Sequence, residues 1–399
     1  MRRMNNKNIV LIVVLIAIAA SIYYFNSTKV SIPKTDIQVG EKSIQQAEER
    51  DIKEPEGAPK SAFSEYIKDD EAVKQKSLMY QEAPELTGIS GYINTDPIKI
   101  KELKGKVVLI DFWTYTCINC IRTLPYLKSW HEKYRDKGLE IIGVHTPEFK
   151  FEQEYENVKN AVEKHSLKYP VVQDNAYATW RAYNNHYWPH KYLVDIDGFM
   201  RWDHIGEGSY EDTEKVIQEL LNERMERLGQ GKIAEGMEKP SETIEVDFYK
   251  VNTPEIYFGY EFTRGNFGNE EGLPANQIID YAMPKTIKDN NVYLEGRWKV
   301  NSDNVELTGN EGKIILSYDA KAVNIVAGSE QEAEIEALVD DKPITNSNKG
   351  SDMEIKNNKG VSKIKESKLY NIVDYNYGKH KIEIIVKGKG FKIYTFTFG

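Results

Sequence analysis

The chain has 399 residues, 29% of them charged, with a formal net charge of −9. That length exceeds one ordinary core, so two domains with extensions are expected, and the acidic balance argues against a nucleic-acid surface, which needs clustered Lys and Arg. Two cysteines exclude a multi-bridge disulfide framework, while 25 tyrosines point to substantial β structure.

Arg2, Arg3 and Lys7 precede an apolar run from Ile9 to Ala20, extended through Ser21 to Tyr23, Tyr24 and Phe25. The run is at the short end of what spans a bilayer, and positive charge on its N-terminal side directs the rest of the chain outward. Residues 1–25 are therefore expected to be a single-pass signal anchor, N-terminus inside, with the folded part on the extracytoplasmic face of the cell membrane. Ala17-Ile18-Ala19 leaves a cleaved signal peptide as the alternative. Residues 26–81, polar and charged around EKSIQQAEERDIKEPEGAPK, read as a linker, with a short helix within SAFSEYIKDDEAVKQKSLMY.

From 82 to 232 the pattern is that of an α/β domain. Val107 to Phe112 is an apolar run broken only by Asp111, as in a strand covered on both faces. Ile121, Leu124, Leu127 and Tyr134 then recur at helical spacing up to Gly138, which is placed to end that helix. Leu139 to Val144 is a second buried strand, Phe149 to His165 is helical, and Tyr169 to Val172 is a short strand. Ala176 to Tyr183 is a short helix. Lys191 to Val194 and Phe199 to His204 flank Asp197-Gly198, a hairpin signal, and Ser209 with Asp212 suggests a capped helix through Leu228. The order β-α-β-α-β-α-β-β-α is the thioredoxin arrangement with one βα unit added. From 240 to 399 helical signals nearly vanish, and short alternating strands such as KIILSYDA and FKIYTFTF predict an all-β, jelly-roll-like sandwich.

The chemistry centres on WTYTCINC, Trp113 to Cys120, which holds both cysteines. Cys-x-x-Cys at a strand-to-helix junction puts the first thiol at a helix N-terminus, where free N–H groups and the dipole favour a thiolate. The three-residue step lets the second sulfur close a disulfide, so Cys117 is expected to attack and Cys120 to resolve. Asp111, a poorly solvated carboxylate with a raised pKa, would accept the proton of Cys120. Trp188-Pro189 precedes the strand KYLVD, where a thioredoxin fold usually carries a cis proline lying against the dithiol; Pro189, Trp188 and Trp113 are the expected substrate-facing residues. No cofactor is expected beyond the redox-active disulfide Cys117–Cys120, and no metal; a site joining His186 and His190 to the cysteines is disfavoured by the intervening proline. Two other readings stand beside this one. Thr114-x-x-Cys117 echoes a thiol peroxidase of the redoxin type, although the proline such enzymes place seven residues before the cysteine is Ile110 here. The β domain, with Tyr257, Tyr260, Trp298 and Tyr370, could instead make the chain a surface glycan- or protein-binding protein with an accessory dithiol.

VVLIDFWTYTCINCIRTLPYL, GVHTPEF, YPVVQDN and YWPHKYLVD, continued by TPEIYFGY, KLYNIV and FKIYTFTFG, resemble the exported DipZ-type branch of the TlpA/ResA thioredoxin-like proteins. The resemblance runs from about Ala83 to Gly399. It implies Cys117 and Cys120 as the redox pair, Pro189 as the cis proline, and a C-terminal domain sometimes called carbohydrate-binding-like. DipZ proteins carry a multi-helix electron-transfer domain ahead of this module where this sequence has one apolar segment. The resemblance therefore implies exported protein or peptide disulfides as substrates and, for a reductase, a separate membrane thiol donor of the CcdA/DsbD type.

Overall fold

The computed structural model describes residues 69–233, 236–237 and 239–399, so the expected anchor and most of the linker lie outside the described residues. Among the described residues no helix is long and apolar enough to cross a membrane. The end of the expected linker is not loose. Helix α1 (Asp70–Ser77) is docked by buried Lys76, whose ammonium meets Asp195 at 2.7 Å and also pairs with Asp197 and Glu223.

The α/β domain is a six-stranded sheet in the order β1-β4-β3-β2-β5-β6. Its strands are β1 (Gly91–Ile93), β2 (Val107–Trp113), β3 (Leu139–His145), β4 (Val171–Gln173), β5 (His190–Val194) and β6 (Met200–Ile205). β2, β3 and β4 run parallel, and β5 is antiparallel to β2. The helices are α2 (Ile118–Tyr134), α3 (Tyr155–Lys164), α4 (Ala178–Ala182) and α5 (Tyr210–Arg227). The two-residue period of a strand sorts β2 cleanly. Val107, Leu109 and Trp113 share a core with Leu124 and Leu127 of α2, Val158 of α3 and Leu221 of α5. Val108, Ile110 and Phe112 pack on the other face with Trp180 of α4. Burying each large aliphatic side chain contributes about 1.5–3 kcal/mol, and every residue of β2 is buried. Gly138 ends the turn after α2 in the left-handed region, at φ 102°. The capped start expected at Ser209 differs: Ser209 is itself left-handed at φ 44°, and its side chain makes no capping bond.

The remaining strands are β7 (Ile256–Tyr257), β8 (Ile278–Tyr281), β9 (Val292–Val300), β10 (Val305–Asp319), β11 (Ala322–Ser329), β12 (Ala333–Val339), β13 (Lys342–Pro343), β14 (Glu354–Lys356), β15 (Lys359–Ile364), β16 (Lys368–Asp374), β17 (Lys379–Lys387) and β18 (Phe391–Phe398). They correct the jelly-roll-like expectation of two sheets, because all twelve belong to one hydrogen-bonded sheet, a half-barrel. The cause is β10, whose start pairs with β18 and whose remainder pairs with β17. Its ladder to β9 shifts register between Leu307 and Gly312, the kind of irregularity that bends a strand. The sheet closes over a core that includes Trp298, Ile314, Ile384 and Phe391.

The two domains pack together. Phe149 of the α/β domain is buried with Tyr257, Val326 and Tyr394, and Lys150 Nζ donates to Ser302 Oγ at 3.1 Å.

Candidate active site

Cys117 is the N-cap of α2, with extended backbone (φ −75°, ψ 113°). It is half-buried, whereas Cys120, one turn into the helix, is buried. The Cys117 sulfur accepts the Cys120 backbone N–H at 3.2 Å, so one of the unpaired N–H groups of the first helical turn is aimed at the first sulfur. Burial drives the Cys120 thiol well above its ordinary range, with the neighbouring Cys117 and the Asp111 charge adding to the shift.

Asp111 lies on the β2 face that meets α2 and is 1% exposed. Burial raises its carboxyl to about 7, against the opposing pull of Lys191, and Oδ1 has no hydrogen-bond partner. Lys191 stands directly across from it in the β2–β5 register, fully buried, with Nζ donating to Gly206 O at 3.1 Å. Cross-strand partners share a face, so a carboxylate and an ammonium sit together beneath the dithiol. Burial lowers the Lys191 pKa and Asp111 works against that shift. Sequence reading missed Lys191. Its signal was a charge in an otherwise apolar strand beside Pro189, the same kind of signal that exposed Asp111.

The Trp188–Pro189 bond is cis. Trp188 is half-buried, its indole N–H donating to Thr146 O at 3.1 Å and its ring 4.3 Å from that of Trp180. Trp113, expected to face substrate, is instead 1% exposed, because its place in the β2 alternation turns it into the core. It meets His145 edge-on. His145 is fully buried, lowered by burial to about 3, and its Nε2 lies 3.3 Å from Thr114 Oγ1.

Two further buried groups brace the loop before Cys117. Thr116 Oγ1 donates to Glu152 Oε1 at 2.5 Å, while Glu152 Oε2 accepts the N–H groups of Glu148 and Phe149. On α2, Arg122 binds Glu207 at 2.9 Å and donates to Phe398 O of β18 at 3.4 Å, so the cysteine-bearing helix is tied to both domains.

The other singled-out residues do not converge on this site. His190 contacts Asn185 and Asp203, and His186 is exposed. Trp298 and Tyr370 are core residues and Tyr257 is in the domain interface. Among the described residues, the one cluster with metal-ligand spacing is Asp195, Asp197 and Glu223. Lys76, Arg201 and Arg227 already pair with it.

Residues 253–399 match the family model described as "Thioredoxin like C-terminal domain", and residues 79–203 match that of the AhpC/TSA family. The chain is 40% identical over 268 residues to Protein DipZ of Mycobacterium bovis and of Mycobacterium tuberculosis, covering 66% of this chain and 37% of each relative. It thus spans little more than a third of the DipZ proteins' length. It is 33% identical over 151 residues to the thiol-disulfide oxidoreductase ResA of Bacillus cereus, covering 37% of this chain and 82% of that one. The solution structure of a thioredoxin-like protein in the oxidized form is 29% identical, covering 36% of this chain and 97% of that one at a TM-score of 0.34, too low to carry weight. At 33% identity over 82% of that relative's own length, the ResA match shows the family, and the chain belongs to the ResA-type thioredoxin-fold thiol–disulfide oxidoreductases.

Proposed function

We propose that this chain is a membrane-tethered, extracytoplasmic oxidoreductase that reduces disulfides of exported proteins through Cys117 and Cys120. The observation that carries the reading is the half-buried Cys117 sulfur at the N-cap of α2, bonded to the N–H of a buried Cys120. The Cys117 thiolate attacks one sulfur of a substrate disulfide. The S–S bond breaks, and the displaced sulfur leaves with the electron pair and takes a proton from water. Cys120 then passes its proton to Asp111, and its thiolate attacks Cys117 Sγ. The Cys117–Cys120 disulfide forms, the second substrate thiol departs, and two electrons have moved from protein to substrate. A CcdA/DsbD-type membrane thiol donor would restore the dithiol by the reverse exchange. The tether rests on the apolar run after Arg2, Arg3 and Lys7 and is tested by membrane fractionation of the full chain with sequencing of its mature N-terminus; a start near Ala20 in the soluble fraction would remove it.

Cys117→Ser should abolish reduction of a disulfide substrate. Cys120→Ser should instead accumulate a mixed disulfide on Cys117, visible as a mass adduct. Full turnover by the Cys117 variant would overturn the reading. The reduction potential decides direction: a reductase should lie near thioredoxin's, roughly −270 mV, and an oxidant near roughly −120 mV. The AhpC/TSA match over residues 79–203 keeps a peroxidase assay in the test. Against that activity stands Thr114, buried with its hydroxyl beside His145, and rapid peroxide consumption would reverse the preference.

A further inference from the structure

A cleft of about 780 Å³ lies between the two domains, a size typical of ligand sites. On one wall are Tyr115 and Ile118, which bracket Cys117 within two residues, followed by Ile121 on the next turn. Ile121, half-buried, faces the cleft. That wall continues onto α3 with Asn157 and Asn160. The opposite wall comes from the β domain, including Asn324, Asn346, Ser351 and Asn371. The walls are joined by fixed contacts: Arg122 to Phe398 O, and Tyr115 OH to Ser367 O at 3.5 Å.

The lining chemistry narrows the occupant. Asn157, Asn324 and Asn371 are bonded within the fold, but Asn160 and Asn346 are exposed on opposite walls, and the donor and acceptor that each asparagine side chain carries suit the alternating N–H and C=O groups of an extended backbone. Next to Cys117 the surface is apolar, through Ile118 and Ile121. An anion is not favoured, because three of the four Lys and Arg residues lining the cleft are engaged, Arg122 with Glu207, Lys368 with Asp352 and Lys349 with Met353 O, and the fourth, Lys164, shares the lining with the carboxylates of Glu366 and Asp374. A sugar ring seeks an aromatic face. Tyr115 is the one Phe, Tyr or Trp among the described lining residues, and it is 7% exposed and stacked on His145.

We propose that this cleft is the docking groove for the substrate polypeptide: an extended, uncharged segment lies between the two asparagine-bearing walls, and its disulfide meets Cys117 at the end of the groove. The β domain is then a specificity wall for the dithiol. This rests on the thiol–disulfide reading above.

Asn160 and Asn346 are exposed on opposite walls, so Asn160→Trp and Asn346→Trp should fill the groove without disturbing either core. The purified full chain and both variants would be assayed with hydroxyethyl disulfide and with a synthetic disulfide-bonded peptide of uncharged residues. Each variant should raise the peptide KM about tenfold or more and leave the reaction with hydroxyethyl disulfide unchanged. An unchanged peptide KM in both variants, or equal losses with both substrates, would overturn the groove. Inhibition of the peptide reaction by soluble oligosaccharides, lost in the variants, would assign the cleft to glycans and also overturn it. A wild-type chain inert toward both disulfides would instead overturn the oxidoreductase reading and, with it, the groove.

Discussion

Asp111 is the one charged residue of β2, and the sheet places Lys191 directly opposite. Cys120, Tyr169, Glu207, His190 and His204 also feel the charge of one or other member of this pair. With its carboxyl raised to about 7, Asp111 is protonated below that pH and cannot receive a proton from Cys120; above it, the carboxylate can. Resolution of a mixed disulfide should therefore accelerate as pH rises through 7. Asp111→Asn should lose that inflection and slow the step about 100-fold at pH 8, as read by stopped-flow release of substrate thiol. Because Lys191 holds the carboxyl down against burial, Lys191→Met should move the inflection to higher pH; an unmoved inflection would dismiss the pairing. Asp111 was legible in the sequence because a lone charge in a buried strand stands out. Its partner was not, because 80 positions of chain separate the two and only strand register joins them.

At the scale of elements, α1 shows how much one cation can fix. Lys76 sits among Asp195, Asp197 and Glu223, joining a short polar helix to the β5–β6 hairpin and to α5. Removing one member of a buried ion cluster leaves its partners uncompensated. Lys76→Ala should therefore cost about 3 kcal/mol in urea unfolding and free α1 for proteolysis, whereas a loss under about 0.5 kcal/mol would class the cluster as surface-like. The α/β order itself was readable, since buried strands and amphipathic helices differ in period. α1 was nearly lost in a polar stretch, because what holds it is tertiary charge pairing rather than an apolar face. Ser209 failed as a cap for a related reason: a motif states what a side chain can do, while the incoming backbone, left-handed here, decides whether it does so.

At the scale of the whole molecule, the domain interface carries its own titratable group. Glu148 accepts the Tyr257 hydroxyl at 2.8 Å and is raised to about 8 by burial and by neighbouring Glu152. A carboxyl whose folded pKa lies above its unfolded value adds stability in acid and loses it as pH rises, here between 4.5 and 8. Glu148→Gln keeps an acceptor for Tyr257 and removes the charge. Its melting temperature should match wild type near pH 4 and exceed it at pH 9, by about 2–4 °C for each kcal/mol regained; a difference independent of pH would exclude this role. The interface was invisible in the sequence because its aromatics read equally well as core of either domain. The β domain was legible as strands but not as one sheet, since alternation marks the faces of a strand and not its neighbours.

Strand β10 belongs to two ladders at once, with β18 at its start and β17 along the rest. The half-barrel therefore has no seam along which to part: opening one end strips hydrogen bonds from a strand the other end still needs. β18 also supplies the carbonyl that holds Arg122, so loss of order in that sheet would reach α2, the helix that begins at Cys117, as a single cooperative event rather than as local fraying.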